Sequence, residues 1–221
     1  MIYEHISSIL IIVGIDIILG GDNAVVIAMA SRNLPERQRN LAIILGTALA
    51  IIVRIILTAA VVYLLKVPFL QLVGGMILLF ISLKLLIAKE ENAAVIKPRA
   101  TLWRAVQTIV TADIAMGLDN VIAIAGAAHG NTFLVIFGFL ISVPIIIFGS
   151  KVILHWMERY PILVYIGAAI LAYTSGKMMT NEQRIQYIYD QFTFFKSILP
   201  ILTIIIVIFL GSILNRRAET H

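Results

Sequence analysis

DIILGGDNAVVIAMA, Asp16 to Ala30, returns 97 residues later as DIAMGLDNVIAIAGA, Asp113 to Ala127, with eight of fifteen positions identical. Both Asp, the first Gly and the Asn are kept, and four of the chain's five Asp lie in these two stretches. Each copy is embedded in a long apolar run, where an ionised carboxylate costs about 2.5–3.5 kcal/mol on insertion scales. Packing gives no reason to repeat that cost four times, so the pair marks a functional site. Asp16 and Asp22 are six residues apart, which in an unbroken helix sets them roughly 120° apart around the axis and about 9 Å along it. Convergence requires an interruption. Gly20 and Gly21, and Gly117 in the second copy, are where the helix is expected to unwind and free backbone carbonyls beside the side chains.

The surroundings define the class. Of 221 residues, 61% are hydrophobic and only 13% charged, too apolar for a soluble domain and too long for a single anchor, so the chain is an integral membrane protein. The net charge of +5 comes from Lys and Arg that fall mostly between apolar runs, and it reports topology, not a nucleic-acid partner. The absence of Cys removes disulfides, thiolate metal sites and thiol chemistry. The N-terminus lacks a basic n-region and a small-residue cleavage site, and reads as a retained helix.

Seven apolar runs have spanning length: Ile6 to Ala30, Leu41 to Leu65, Pro68 to Ala88, Arg104 to Ala128, Thr132 to His155, Pro161 to Met179 and Ser197 to Leu214. Pro68, Pro161 and Pro200 are expected in first-turn positions and Pro144 inside the fifth helix, as a kink. Alternating the loops puts Arg32, Arg37, Arg39, Lys89, Lys97, Arg99, Arg104, Arg159, Arg216 and Arg217 on one side, against Lys66, Arg184 and Lys196 on the other. That imbalance places the N-terminus outside and the C-terminus in the cytoplasm.

The duplication continues beyond the Asp motif. Pro68 to Lys84 matches Pro161 to Lys177 at an offset of 93, with seven of seventeen positions identical, and between these anchors Gly46 stands against Gly138. A unit of three helices is odd, so the two halves cross the membrane in opposite directions. The expected fold is an all-α membrane protein of seven transmembrane helices: two inverted three-helix repeats plus one extra C-terminal helix. Residues 1–88 form the first repeat, 89–103 a cytoplasmic linker and 104–179 the second repeat. Residues 180–221 supply an extracellular amphipathic segment, the seventh transmembrane helix and a cytoplasmic tail.

Two motifs meeting at a pseudo-twofold axis present the carboxylates of Asp16, Asp22, Asp113 and Asp119 and the amide oxygens of Asn23 and Asn120. Such a hard oxygen set suits Mn²⁺, Mg²⁺ or Ca²⁺. His5, His129, His155 and His221 fall at helix ends or termini and read as interfacial. Four carboxylates together need protons or an internal cation when no metal is bound, which makes proton exchange a natural coupling. Arg54, mid-way along the second helix, is the candidate counter-ion, expected to pair with one of the Asp; backbone carbonyls or a water-filled crevice are its other possible partners. Lys84, Lys151 and Lys177 read as snorkelling. Met116 is a candidate soft contact for selectivity, against a plain packing role.

At these residues the chain resembles the TerC family of bacterial membrane proteins, within the wider group that contains lysine exporters. DxxxGGDN at Asp16 to Asn23 and DxxxGLDN at Asp113 to Asn120 carry the resemblance, which extends over nearly the whole chain. It implies transport and not catalysis: export of Mn²⁺ across the bacterial inner membrane, with no prosthetic group. The expected partners are the metal ion and the lipid bilayer, and Gly74 and Gly75 offer packing within the chain or in a homo-oligomer. Leu118 in place of the second Gly predicts a weaker break in the second copy. The residues alone also accommodate export of an amino acid or organic cation, or a non-transporting membrane partner with a structural metal site. An intramembrane aspartyl protease is more remote, because the chain lacks a Pro-Ala-Leu segment.

Overall fold

A computed structural model describes the backbone of residues 2–64, 67–87, 98–128, 131–191 and 193–219, and most of the side chains within them. Among the described residues every regular element is helical. The first apolar run is two helices, α1 (Ile2–Leu19) and α2 (Gly21–Ser31), separated at Gly20 and bent by 49°. Then come α3 (Glu36–Ala59), the single turn α4 (Val61–Leu64), α5 (Leu70–Ile87), α6 (Pro98–Ala127), α7 (Thr132–Arg159) and α8 (Ile162–Thr180). A 3₁₀ turn at Gln183–Ile185 and the short α9 (Gln186–Gln191) lead into α10 (Thr193–Glu219).

Five of these helices, α3, α5, α7, α8 and α10, are long and apolar enough to cross a membrane, and the bent α1–α2 pair makes six. Their outward faces are apolar, as at Ile52, Ile56, Phe80, Phe148 and Phe209, which is what hydrocarbon requires. Several expected boundaries move. Pro161 caps α8 as anticipated, whereas Pro68 sits in the turn before α5. Pro200 lies well inside α10, because that helix starts at Thr193 and absorbs the end of the polar, aromatic stretch expected on the surface. The cost of the missing N–H is met by packing, with the Pro200 backbone lying directly over Gly176 of α8. Pro144 is inside α7, which continues through it. Of the expected linker, Pro98 onward is already helical and 89–97 lie outside the described residues.

The helices pack in pairs: α3 on α6, α1 and α2 on α7, α5 on α8, and α10 across α8 and α5. Two of these interfaces carry reciprocal contacts. Ser82 Oγ of α5 donates to the Ala168 carbonyl at 2.8 Å, and Ser175 Oγ of α8 donates to the Gly75 carbonyl at 2.7 Å. The 93-residue offset turns Ser82 into Ser175 and Gly75 into Ala168, so one bond is the repeat image of the other.

Gly46 and Gly138 find their meaning in the same way. A Cβ on Gly46 would stand 2.8 Å from Ile109, and a Cβ on Gly138 would stand 2.3 Å from Ile12. Ile12 and Ile109 are themselves 97 residues apart, each four residues before a motif Asp. Each Gly therefore lets α3 or α7 close against the helix carrying Asp113 or Asp16.

Gly138→Ala should lower the unfolding midpoint in detergent, by an overpacking cost of about 1–3 kcal/mol. Gly14→Ala, at a position with no atom within 4 Å of the added carbon, should stay near wild type. Ile12→Ala combined with Gly138→Ala should lose less than the sum of the two single losses, because the methyl that collides is gone.

Candidate metal site

The last full turn of α1 delivers Asp16 into the bundle. One turn later the helix breaks because only a residue without a side chain fits: a Cβ on Gly20 would lie 2.3 Å from the Asp16 carbonyl oxygen. The break keeps its local hydrogen bonds, Gly20 N–H to the Asp16 carbonyl at 2.8 Å and Asn23 N–H to the Gly20 carbonyl at 3.1 Å. It starts α2 at Gly21 in a new direction, with Asn23 turned inward.

Helix α3 brings Arg54 between the two halves of the sequence. Its Nη1 donates to Asp16 Oδ1 and its Nη2 to Asp113 Oδ1, so one guanidinium bridges two carboxylates from the two copies of the motif. All three are buried, with Asp16 at 1% exposure, Arg54 at 5% and Asp113 at 9%. The planar fork of Arg suits this geometry where the point charge of Lys would not. Two further donors reach the carboxylates: Ser142 Oγ of α7 donates to Asp16 Oδ2, and Asn23 Nδ2 donates at 3.1 Å to Asp113 Oδ1, the oxygen that Arg54 also holds. The Phe139 ring lies 5.5 Å from the guanidinium carbon and adds a cation–π contact.

These groups enclose a cavity of about 30 Å³, lined by Asp16, Asn23, Thr47, Arg54, Asp113 and Phe139 among others. That is room for a water molecule or a single small ion. Asn23 must point its nitrogen at the Asp113 carboxylate, which fixes the amide orientation. Its Oδ1 is buried and has no hydrogen-bond partner among the described residues.

The motif residues do not all converge. Asp22 is half-buried and turned to α8, where Thr174 Oγ1 donates to its Oδ2 at 3.2 Å. The side chain of Asp119 lies outside the described residues. Among those described, no three His, Cys, Asp or Glu side chains gather as a metal-ligand set. Among the described side chains the site is two acids around an internal cation, because like charges buried together need compensation from within. Gly117 is not a helix break. Helix α6 runs through it unbroken, and a Cβ there would meet Arg54 Nε at 3.8 Å. Asn120 is buried with its Nδ2 unpartnered among the described residues, but it does not line the cavity. Met116 packs into an apolar cluster with Leu78, Leu171 and Ala172 and is not among the residues lining the cavity. Lys84, Lys151 and Lys177 are exposed, as snorkelling requires, and so is His155, the one histidine with a described side chain.

Ser142, Phe139, Thr47 and Thr174 were not legible as site residues. Ser and Thr in helices usually bond their own backbone, as Thr58 does to the Arg54 carbonyl at 2.7 Å, so their presence in an apolar run carries no signal. On one face of the bundle a second recess, of about 250 Å³, is lined by residues including Glu36, Arg39, Lys151, His155 and Glu158. Arg39 and Glu158 pair across it at 2.8 Å. Ile27, Ile43 and Ile109 form a buried apolar cluster. Ile27 and Ile109 also line the cavity and Ile43 the recess, so this cluster adjoins both.

A multi-pass helical bundle with charged side chains neutralised inside it defines a polytopic membrane protein whose chemistry is in its interior. The chain belongs to the Integral membrane protein TerC family, which matches residues 2–219. It is 52% identical to the uncharacterized membrane protein YjbE of Bacillus subtilis (strain 168), over 99% of this chain and 100% of that one. It is 27% identical to YkoY of the same organism, over 80% of this chain and 61% of that one. With the UPF0053 protein YegH of Escherichia coli (strain K12) the identity is 26%, over 75% of this chain and 35% of the longer protein. No solved structure matches the chain.

Arg54→Gln should destabilise the protein by about 3–5 kcal/mol, because two buried carboxylates lose their cation. Thermal unfolding in detergent measures it. Adding Asp16→Asn and Asp113→Asn to Arg54→Gln should return most of the loss, whereas Asp22→Asn added to Arg54→Gln should return little.

Proposed function

We propose that the protein is a secondary transporter that exports divalent metal cations, Mn²⁺ foremost, from the cytoplasm by exchange with protons. The observation that carries this reading is the meeting of Asp16 and Asp113 in one buried cavity, where a tethered guanidinium stands in the place of a cation. The oxygens around it are hard ligands: two carboxylates and the unpartnered Asn23 Oδ1. That donor set favours Mn²⁺, Mg²⁺ or Ca²⁺ over softer metals. Outward transport and the choice of Mn²⁺ follow from the family resemblance, not from the geometry.

In this reading Arg54 is the resident cation of the empty transporter. A metal ion entering the cavity takes over Asp16 and Asp113, and the guanidinium withdraws along the Phe139 face. Two carboxylates carry more charge than one guanidinium balances, and protons supply the remainder, which links metal movement to the proton gradient. The reciprocal contacts across α5–α8, and the matched Gly–Ile pairs Gly46–Ile109 and Gly138–Ile12, support reading α1 to α5 and α6 to α8 as inverted repeats around the cavity. Repeats of this kind alternate access by rocking against each other. We place α10 as the seventh span, the N-terminus outside and the C-terminus in the cytoplasm of a bacterial cell. The recess at Glu36, Arg39 and Glu158 then faces the cytoplasm.

Purified protein in liposomes should move Mn²⁺, and an imposed pH gradient should drive that movement. Asp113→Asn, which keeps the hydrogen-bonding shape but removes the charge, should abolish transport while the protein still inserts and folds. Absence of flux in the wild-type protein would overturn the transporter reading, and flux indifferent to the pH gradient would remove the proton coupling. A C-terminal reporter fusion active only outside the cell would reverse the orientation.

A further inference from the structure

The cavity has a second oxygen that no motif announces. Thr47 lies on α3 two turns before Arg54, lines the same cavity as Asp16, Asn23 and Asp113, and is only 5% exposed. Its Oγ1 is buried without a hydrogen-bond partner among the described residues. That is unusual for its setting. A hydroxyl inside a helix normally donates to the carbonyl three or four residues back, and Thr58 on this same helix does so at 2.7 Å, as do Ser31 on α2 and Thr108 on α6. Thr47 forgoes the bond that costs it nothing, and a buried hydroxyl left unsatisfied is destabilising. The group that would satisfy it has to come from the cavity.

The duplication sharpens the point. At the offset of 92 that matches Gly46 with Gly138, Thr47 corresponds to Phe139, Ile51 to Val143 and Arg54 to Ile146. All six of these residues line the cavity. The two halves thus contribute the same positions but different chemistry. The first half supplies a hydroxyl and a guanidinium where the second supplies a ring and an alkyl chain. Phe139 is the surface against which the guanidinium rests, and Thr47 is its repeat counterpart in the cavity lining, with an oxygen that has no partner among the described residues.

We propose that Thr47 is a direct cation ligand, whose Oγ1 joins Asp16, Asp113 and the Asn23 amide oxygen in the coordination shell of the transported ion. The inference rests on the transporter reading and adds a residue to its site. A neutral hydroxyl contributes a hard oxygen without adding to the negative charge that the empty cavity has to neutralise. This lets the shell gain a ligand while Arg54 alone still spans the two acids. The Asn23 and Thr47 oxygens are unpartnered together because both await the same ion, whereas the carboxylates are occupied by Arg54.

Titration of Mn²⁺ into the purified full-length protein in detergent, followed by calorimetry, tests this without requiring transport. Thr47→Val preserves shape and removes the oxygen, and should weaken Mn²⁺ binding about tenfold or more, with the metal-free unfolding midpoint unchanged or raised. Thr47→Ser, which restores the oxygen, should bind within a few-fold of wild type. Thr47→Ala serves as a second deletion if the valine packs poorly. Wild-type affinity in Thr47→Val or Thr47→Ala would overturn the assignment while leaving the site itself standing. Equal weakening by Thr47→Ser and Thr47→Val would also overturn it, by assigning Thr47 a packing role. Failure of the wild-type protein to bind Mn²⁺ at all would instead remove the underlying reading, and this inference with it.

Discussion

A guanidinium held between two buried carboxylates is the constraint on which the packing of these helices turns. Arg54 on α3, Asp16 on α1 and Asp113 on α6 can meet only if helices from both halves of the sequence cross at one depth. An ion pair taken out of water gains little net stability, since desolvation offsets the attraction, but separating its members is strongly unfavourable. The triad therefore acts less as a source of stability than as a condition on packing: arrangements that leave one member unpaired are excluded. Ser142 then satisfies the second oxygen of Asp16 and Asn23 adds a donor to Asp113 Oδ1, which orients α7 and α2 around the same point.

The rest of the bundle makes that meeting possible. Gly46 and Gly138 remove the side chains that would hold α3 from α6 and α7 from α1, and Gly20 removes the one that would collide with the Asp16 carbonyl. In a membrane, where lipid is as apolar as the helix surface, such close approach and interhelical hydrogen bonds are what hold helices together. The paired bonds of Ser82 and Ser175 across α5 and α8 are of this kind, and Thr203 of α10 adds another at 2.8 Å to the Ala172 carbonyl. The two halves contribute alike in this framework and unlike at the cavity, where Thr47 and Arg54 stand opposite Phe139 and Ile146. Matched scaffolding with unmatched lining is how a duplicated chain builds one asymmetric site.

Much of the helical layout was legible because hydrocarbon leaves few choices. Apolar runs of about 20 residues between charged loops have to be helices, and α5, α6, α7 and α8 start or end within a few residues of the expected limits. Pro200 misled because its backbone cost is local while its compensation, the bare Gly176 beneath it, is 24 residues away in sequence (200 − 176). Gly117 misled for a related reason. A Gly marks where a helix is able to unwind, and in α6 the space it leaves lies beside the Arg54 side chain instead. Asp22 was expected to converge with Asp16 once the helix unwound at Gly20, but the bend there aims it toward Thr174.

Read by itself, the sequence determined that this is a multi-pass helical membrane protein with repeated acids inside it and one arginine in need of a partner. Those conclusions follow from transfer costs, which depend on residue type and on the length of an apolar run, and both are written in the chain. Only the tertiary structure decided that Arg54 takes two acids at once, that Asp22 stands apart from them, that Ser142 holds Asp16, and that Phe139 and Thr47 line the cavity. Partner choice depends on which faces of α3, α6 and α7 meet. A few interhelical close approaches set those faces, and no periodicity along a single helix encodes them.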